Sequence, residues 1–80
     1  MTIANLLRSL QRAGLDARPT TVYNASDGRY TTPAIMVYHD YNGPYPTREA
    51  MNQHEEATAR ATRNGYHAEQ RGHYTATLIF

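Results

Sequence analysis

The feature that most constrains the fold is a six-residue pattern that occurs twice, as RAGLDA at residues 12–17 and as RNGYHA at residues 63–68. In both copies a glycine stands where a helix would end in the left-handed conformation, and an apolar or aromatic residue follows it, as in a Schellman motif. Each copy therefore indicates the end of a helix and the start of a strand. Either duplication of a unit or shared helix-stop chemistry would explain this match, which is six positions long and identical at Arg, Gly and Ala.

Helical periodicity precedes each copy of the pattern. From residue 2 to 13 apolar side chains recur at spacings of three and four, with Thr2 placed to cap the first turn. A second helix is predicted from Thr47 to about residue 64, with Glu49 in the first turn, where the helix dipole favours a carboxylate. The small residues of its expected buried stripe would let it lie close to a sheet. That stripe consists of Ala50, Met51, His54, Ala57, Thr58 and Ala61.

Two strand segments follow each helix. The first pair is TTVYN and YTTPAIMVYH, joined by a turn in which Asp27 and Gly28 suit type I′ geometry. The second pair is YHAEQ and HYTATLIF, joined near Arg71. The predicted fold class is α+β, with duplicated α-β-β units that form a four-stranded antiparallel sheet with two helices on one face. Pro33 lacks an amide donor, so its strand is expected at an edge or bulged there.

Alternation along the strands predicts which side chains face the helices. In residues 74–80 we expect the even-numbered set, which includes Leu78 and Phe80, to face the helices and the odd-numbered set to face away. In residues 34–38 the even-numbered and odd-numbered sets compete for the buried face, and both alternatives remain open. A second face rich in Thr, His and Tyr would be a docking surface.

Length and composition predict a single domain over residues 1–80, divided into a unit at 2–40, a loop at 41–46 and a unit at 47–80. Eleven of the 80 residues are Leu, Ile, Val or Phe, below the roughly 20% that is usual in folded chains, while the net charge is only +1. Seven tyrosines add buried area, and the chain contains no cysteine for disulfides. A partner surface or a homodimer would supply further burial.

Several classes of function lack their sequence signals. The start MTIANLLRSL has no secretory leader, which predicts a cytoplasmic protein without a membrane partner. The carboxylates are scattered, so we expect no enzyme and no cofactor. His67 and His73 could face each other across the last hairpin, with His39 on a neighbouring strand, but their spacing matches no metal-ligand pattern, and no metal site is predicted.

The loop YNGPYP is the best candidate for a binding site. Tracing the chain up and down the sheet places the connections at 14–19, 41–46 and 70–72 at one end, together with the free amides at the start of the second helix. Two interpretations remain open, a connector alone or a binding site. The residues of such a site would be Tyr41, Tyr45, Asp40, Arg71 and Arg18.

Nucleic acid is the less favoured alternative partner. Tyrosine and arginine on an open sheet can stack bases and hold phosphates, as in single-strand binding proteins. The net charge of +1, spread along the chain, is not the basic surface that such binding needs. A structural homodimer that covers the sheet face is a third alternative.

Two family resemblances bear on function. NLLRSLQRAGL, residues 5–15, is similar to the opening helix of small HicA-type mRNA interferases, but the region where that family has its catalytic histidine reads NASDGRYTTP, so the activity is not carried over. In size and build the chain also resembles the small cysteine-free α/β proteins that phages use against host defence, such as anti-CRISPR proteins. That resemblance implies a non-enzymatic inhibitor or accessory factor that binds the surface of a host protein complex.

Overall fold

The computed structural model describes residues 1–24, 30–40 and 46–80, with only the backbone of Asn24 and Tyr30. The elements are α1 (Ile3–Arg12), β1 (Asp16–Asn24), β2 (Tyr30–Tyr38), α2 (Arg48–Arg63), β3 (Ala68–Arg71) and β4 (Ala76–Ile79). The strands form one antiparallel sheet in the order β1-β2-β4-β3, so the predicted α+β fold of two α-β-β units is confirmed. Within the described ranges, no helix is long and apolar enough to cross a membrane.

Local chemistry defines both ends of α1. The Thr2 side chain accepts a hydrogen bond from the Asn5 amide at 3.2 Å, as an N-cap residue does. At the other end the Gly14 amide donates to the Gln11 carbonyl at 3.0 Å. The Leu15 amide donates to the Leu10 carbonyl at 3.2 Å, which completes a Schellman motif. Gly14 has the positive φ of 86° that this motif requires.

The second copy of the pattern ends α2 in the same way. Thr47 caps the start of this helix by accepting from the Ala50 amide at 3.0 Å. The amide of Gly65, which has a φ of 83°, donates to the Thr62 carbonyl, and the Tyr66 amide donates to Ala61. The repeated pattern therefore marks the same helix stop twice. On the predicted stripe Ala50, Ala57 and Ala61 are buried, and Met51, His54 and Thr58 are half-buried.

The position of β2 corrects the prediction from Pro33. Rather than lying at an edge, β2 runs between β1 and β4. However, β4 pairs only with residues 35–38 of β2. Pro33 therefore lies where β2 has β1 as its sole described neighbour, and the missing amide removes no hydrogen bond to β4.

Both helices pack on one face of the sheet. Ile35 and Val37 face them and are fully buried, which decides the alternatives that the sequence left open for residues 34–38. On β4 the prediction was wrong, because Thr77 and Ile79 pair with these two residues and face the helices. The buried core cluster consists of Leu6, Leu10, Ala17, Ile35, Val37, Ala57, Ala61 and Ile79.

The other face of the sheet is called the open face here, because both helices lie opposite it. The strand register places its side chains in rows across the four strands. The first row is Asp16, Tyr38, Ala76 and Arg71. The second row is Arg18, Met36, Leu78 and Glu69. Beyond these rows the β1–β2 pair continues alone with Thr20, Ala34, Val22 and Thr32.

Candidate functional site

The strand ends lie together at one end of the sheet, but the predicted site residues are not brought together there. The first row of the open face contains the start of β1, the end of β2, the end of β3 and the start of β4, so these strand ends lie together at one end of the sheet. Arg18 lies on β1 and Arg71 on β3, which are the two outer strands, so two strands separate them. Tyr41 and Tyr45 lie outside the described residues, and their role stays a prediction.

Each charged residue of the predicted site interacts with another side chain. Arg18 donates two hydrogen bonds to the Asp16 carboxylate, at 3.0 and 3.1 Å. Arg71 Nη2 lies 2.9 Å from a carboxylate oxygen of Glu69. Asp40 instead contacts α2, where its amide donates to Gln53 Oε1 at 2.9 Å. Both outer strands of the open face therefore carry one cation paired with one anion.

Tyr38 is the exposed aromatic residue at the centre of this end of the open face. Its side chain is 45% exposed, and the Arg18 guanidinium carbon lies 4.9 Å from the ring centroid. Because Asp16 also binds Arg18, the guanidinium is held over the ring in a cation–π arrangement. The sequence did not single out Tyr38, since its face depended on the strand register with Asp16 and Ala76.

A groove of about 450 Å³ lies between the β1–β2 hairpin and the β3–β4 pair. Its lining contains apolar side chains and the Glu69–Arg71 ion pair of β3. The lining residues are Val22, Tyr23, Thr32, Glu69, Arg71, Leu78 and Phe80. The groove thus continues the open face away from Tyr38 and gives it a concave region with an apolar floor.

On the helix-covered face two histidines share one hydroxyl group. His39 Nε2 lies 2.6 Å from Thr77 Oγ1, and His54 Nδ1 lies 2.7 Å from the same oxygen. His39 follows β2, His54 lies on α2 and Thr77 lies on β4, so the cluster joins three elements. Burial lowers the pKa of His39 from 6.5 to about 4 and also lowers the pKa of His54. The sequence had placed His54 on the buried stripe without predicting this contact.

His67 and His73, which could have faced each other across the last hairpin, do not do so. His67 precedes β3 and packs its ring against Phe80, whereas His73 lies in the turn that follows β3. The two are therefore at opposite ends of the strand. Over residues 1–24, 30–40 and 46–80, no group of three or more His, Cys, Asp or Glu side chains could hold a metal ion.

Comparison of the chain with protein-family models, with curated proteins and with solved structures found no match. The open face and the histidine cluster are thus the two features from which function can be inferred. Of these two features, the open face presents exposed side chains to a second molecule, whereas Thr77 is fully buried and His39 is 8% exposed.

Proposed function

We propose that the chain is a non-enzymatic protein-binding module that binds its partner through the open face. The observation that carries the proposal is the exposed Tyr38 ring with Arg18 stacked on it and Asp16 holding the guanidinium. Tyrosine and arginine are enriched among the residues that dominate protein interfaces. Because the three side chains already contact one another, binding would order few additional rotamers.

The charges of the open face favour a protein surface over nucleic acid. Arg18 and Arg71 are the cations of its first two rows, and each is paired with a carboxylate on its own strand. A phosphate would have to compete with Asp16 and Glu69 for these guanidinium groups. Nucleic-acid binding depends on cations that release counterions from phosphates, and such a neutral surface provides little of that free energy. A protein surface with apolar side chains and charges of both signs fits it better.

The buried position of the histidine cluster supports a non-enzymatic role. A substrate would have to reach the Thr77 hydroxyl, which is fully buried beneath α2. A protein of this kind would act by occupying a surface, as an inhibitor or accessory factor of a larger host complex does. Its effect would follow from affinity and not from turnover.

Site-specific photo-crosslinking tests the proposal. A photoreactive phenylalanine analogue replaces Tyr38 in one variant and Ala59, which is exposed on α2, in a matched control. After irradiation in the native host, we expect a nuclease-resistant protein adduct from position 38 that position 59 does not give. With the captured protein purified, Tyr38→Ala should weaken binding by roughly 30-fold or more, which corresponds to about 2 kcal/mol.

Other outcomes would contradict the proposal. An adduct that disappears on nuclease treatment would favour the nucleic-acid alternative. Equal adducts from positions 38 and 59 would show that the open face is not the binding surface. An adduct of twice the mass of the chain, from position 38 alone, would identify the partner as a second copy and favour the homodimer.

A further inference from the structure

The single hydroxyl proton of Thr77 determines the tautomers of the two histidines in the cluster. The Thr77 hydroxyl has one proton to donate, so it donates to one imidazole and accepts from the other. His39 Nδ1 is buried and has no hydrogen-bond partner among the described residues. A proton there would be a buried donor without an acceptor, which costs more than a bare lone pair. The arrangement is therefore His39 Nε2–H donating to Thr77 Oγ1, and Oγ1–H donating to His54 Nδ1.

This arrangement has no favourable place for a further proton. On His39 the proton would occupy Nδ1, which has no hydrogen-bond partner in this arrangement, and would create a cation at a residue that is only 8% exposed. On His54 it would occupy Nδ1, and the Thr77 hydroxyl would lose the acceptor of its own proton. If both rings were charged, their centroids would lie only 6.2 Å apart. Each of these states places an uncompensated charge or an unpaired proton between α2 and the sheet.

A strained turn lies directly against the cluster. Three successive residues, Gly72, His73 and Tyr74, have positive φ values of 52°, 53° and 69°. This conformation is unfavourable for the two that carry a Cβ atom. The Tyr74 ring packs edge-on against His54 with centroids 5.2 Å apart. The Thr75 carbonyl accepts from the His39 amide at 2.9 Å, so both histidines hold the turn.

We propose that His39, Thr77 and His54 form a proton-operated latch, in which uptake of one proton by the histidine pair releases the β3–β4 turn and the start of α2 from the sheet. Two observations carry this inference. One is the single Thr77 hydroxyl that both rings share, whose one proton is already used between them, and the other is the strained turn that the same cluster holds in place.

The charged groups around the cluster do not offset the cost of the proton. On the connector that carries His39, the Asp40 carboxylate favours a charged His39, as does the Gln53 side chain of α2. Glu55 of α2 favours a charged His54. Burial and the mutual repulsion of the two rings outweigh these effects and lower the pKa of His39. Glu49 on α2 bonds to the Gln53 amide at 3.4 Å, and the exposed His73 lies in the turn itself.

The direction of the pH effect follows from these shifts. The closed latch keeps His39 neutral with a pKa of about 4, whereas an open latch exposes it with the ordinary value of 6.5. The closed state is therefore fully favoured above pH 6.5 and loses that advantage as the pH falls towards 4. Between about pH 7.5 and about pH 5, His39 alone shifts the equilibrium towards opening by roughly 30-fold.

Amide hydrogen exchange measured residue by residue tests the latch. The amides of His39 and Thr75 report on it, since they bond to the Thr75 and Arg71 carbonyls. The amides of His67 and Phe80, which pair with each other at the far end of the sheet, serve as internal references. From about pH 7.5 to about pH 5 we expect the protection factors of the reporter amides to fall roughly 30-fold. The reference amides should change less than about threefold.

Variants that cannot titrate provide the decisive control. Gln places its amide near the position of Nε2, and Asn near that of Nδ1, so the pair His39→Gln and His54→Asn keeps hydrogen-bonding groups towards Thr77 without a titrating ring. This double variant should lose the pH response, whereas His67→Gln and His73→Gln should retain it. If the double variant does not fold, two other tests of the latch remain. One is the Thr77→Ser variant, which keeps the hydroxyl, and the other is titration of the histidines by NMR in the unmodified chain.

Three results would contradict the proposal of a latch. The first is unchanged protection of the reporter amides at the two pH values. The second is a parallel loss at the reference amides, which would indicate global unfolding. The third is titration of His39 and His54 in the folded chain at the ordinary pKa of 6.5. Each is measurable on the unmodified chain.

One consequence of the latch concerns binding. Tyr38 directly precedes His39, so release of the latch would loosen the end of β2 that carries the exposed ring. Partner binding through the open face should then weaken in mild acid. This consequence rests on the proposed function, whereas the exchange experiment does not, so either can fail without the other.

Discussion

The two faces of the sheet contain the same four strands but differ in what their side chains contact. On the helix-covered face Ile35, Val37 and Ile79 are essentially buried against Leu6 and Leu10. On the open face Tyr38 remains exposed, and ion pairs flank the centre of the sheet on both outer strands. Successive residues of one strand thus serve different purposes. The helix-covered face stabilises the fold, and the open face leaves the Tyr38 ring exposed.

Because the core is small, the two faces should differ strongly in how much their side chains contribute to stability. A chain of 80 residues is stabilised by roughly 4 to 12 kcal/mol in total, so a single buried leucine contributes a large share of its free energy of unfolding. Exposed side chains contribute much less, because their removal leaves no cavity. Substitutions of matched size on the two faces should therefore differ in effect.

The largest expected effect is that of Leu10→Ala on the helix-covered face. Leu10 is fully buried between α1 and the sheet, so its truncation should lower the free energy of unfolding by about 2 to 5 kcal/mol. The matched substitution on the open face is Met36→Ala, where the side chain is half-buried and the loss should be about 1 kcal/mol. Urea denaturation of both variants measures the difference. Equal losses would mean that the open face is packed like a core.

A smaller effect is expected at the polar contact within the helix-covered face. Thr77→Val keeps the shape of the side chain but removes the hydroxyl, which leaves a buried nitrogen of His39 and a half-buried nitrogen of His54 without this partner. The expected loss is about 2 kcal/mol at neutral pH. Thr77→Ser keeps the hydroxyl and should retain most of the stability. Thr32→Val on the open face, where the residue is exposed, should change stability by less than about 0.5 kcal/mol.

That experiment has a clear contrary result. If Thr77→Val were as stable as the unmodified chain, the two histidines would have found other partners, and the shared hydroxyl would not join α2 to the sheet. If Thr32→Val were as costly as Thr77→Val, the distinction between the two faces would fail for polar residues.

The sequence predicted well what depends on neighbours along the chain. Thr2 and Thr47 cap the helices, and Gly14 and Gly65 end them, because each signal acts within four or five residues of itself. Two α-β-β units followed directly from these boundaries. The type I′ turn predicted at residues 27–28 lies outside the described residues and stays a prediction.

What the sequence did not predict depends on strand order. In the order β1-β2-β4-β3, Thr77 lies beside Val37 and beneath His54, contacts that join residues far apart in the chain. The face of β4 was assigned wrongly because Tyr74 was taken as part of that strand. It lies instead in the left-handed turn before Ala76. The pairing of Tyr38 with Arg18 required the β1–β2 register for the same reason.

A small effect on stability is also expected for Tyr38→Ala, which is the sharpest test of the comparison. Because the ring is 45% exposed and Arg18 keeps its two bonds to Asp16, the free energy of unfolding should fall by less than about 1 kcal/mol. Binding of the partner captured from position 38 should weaken by about 2 kcal/mol or more, as for residues that dominate interfaces. Denaturation and titration calorimetry on the same preparation measure both quantities. A loss of stability that matched the loss of affinity would make Tyr38 a structural residue, because the weaker binding would then report a damaged sheet and not a missing contact.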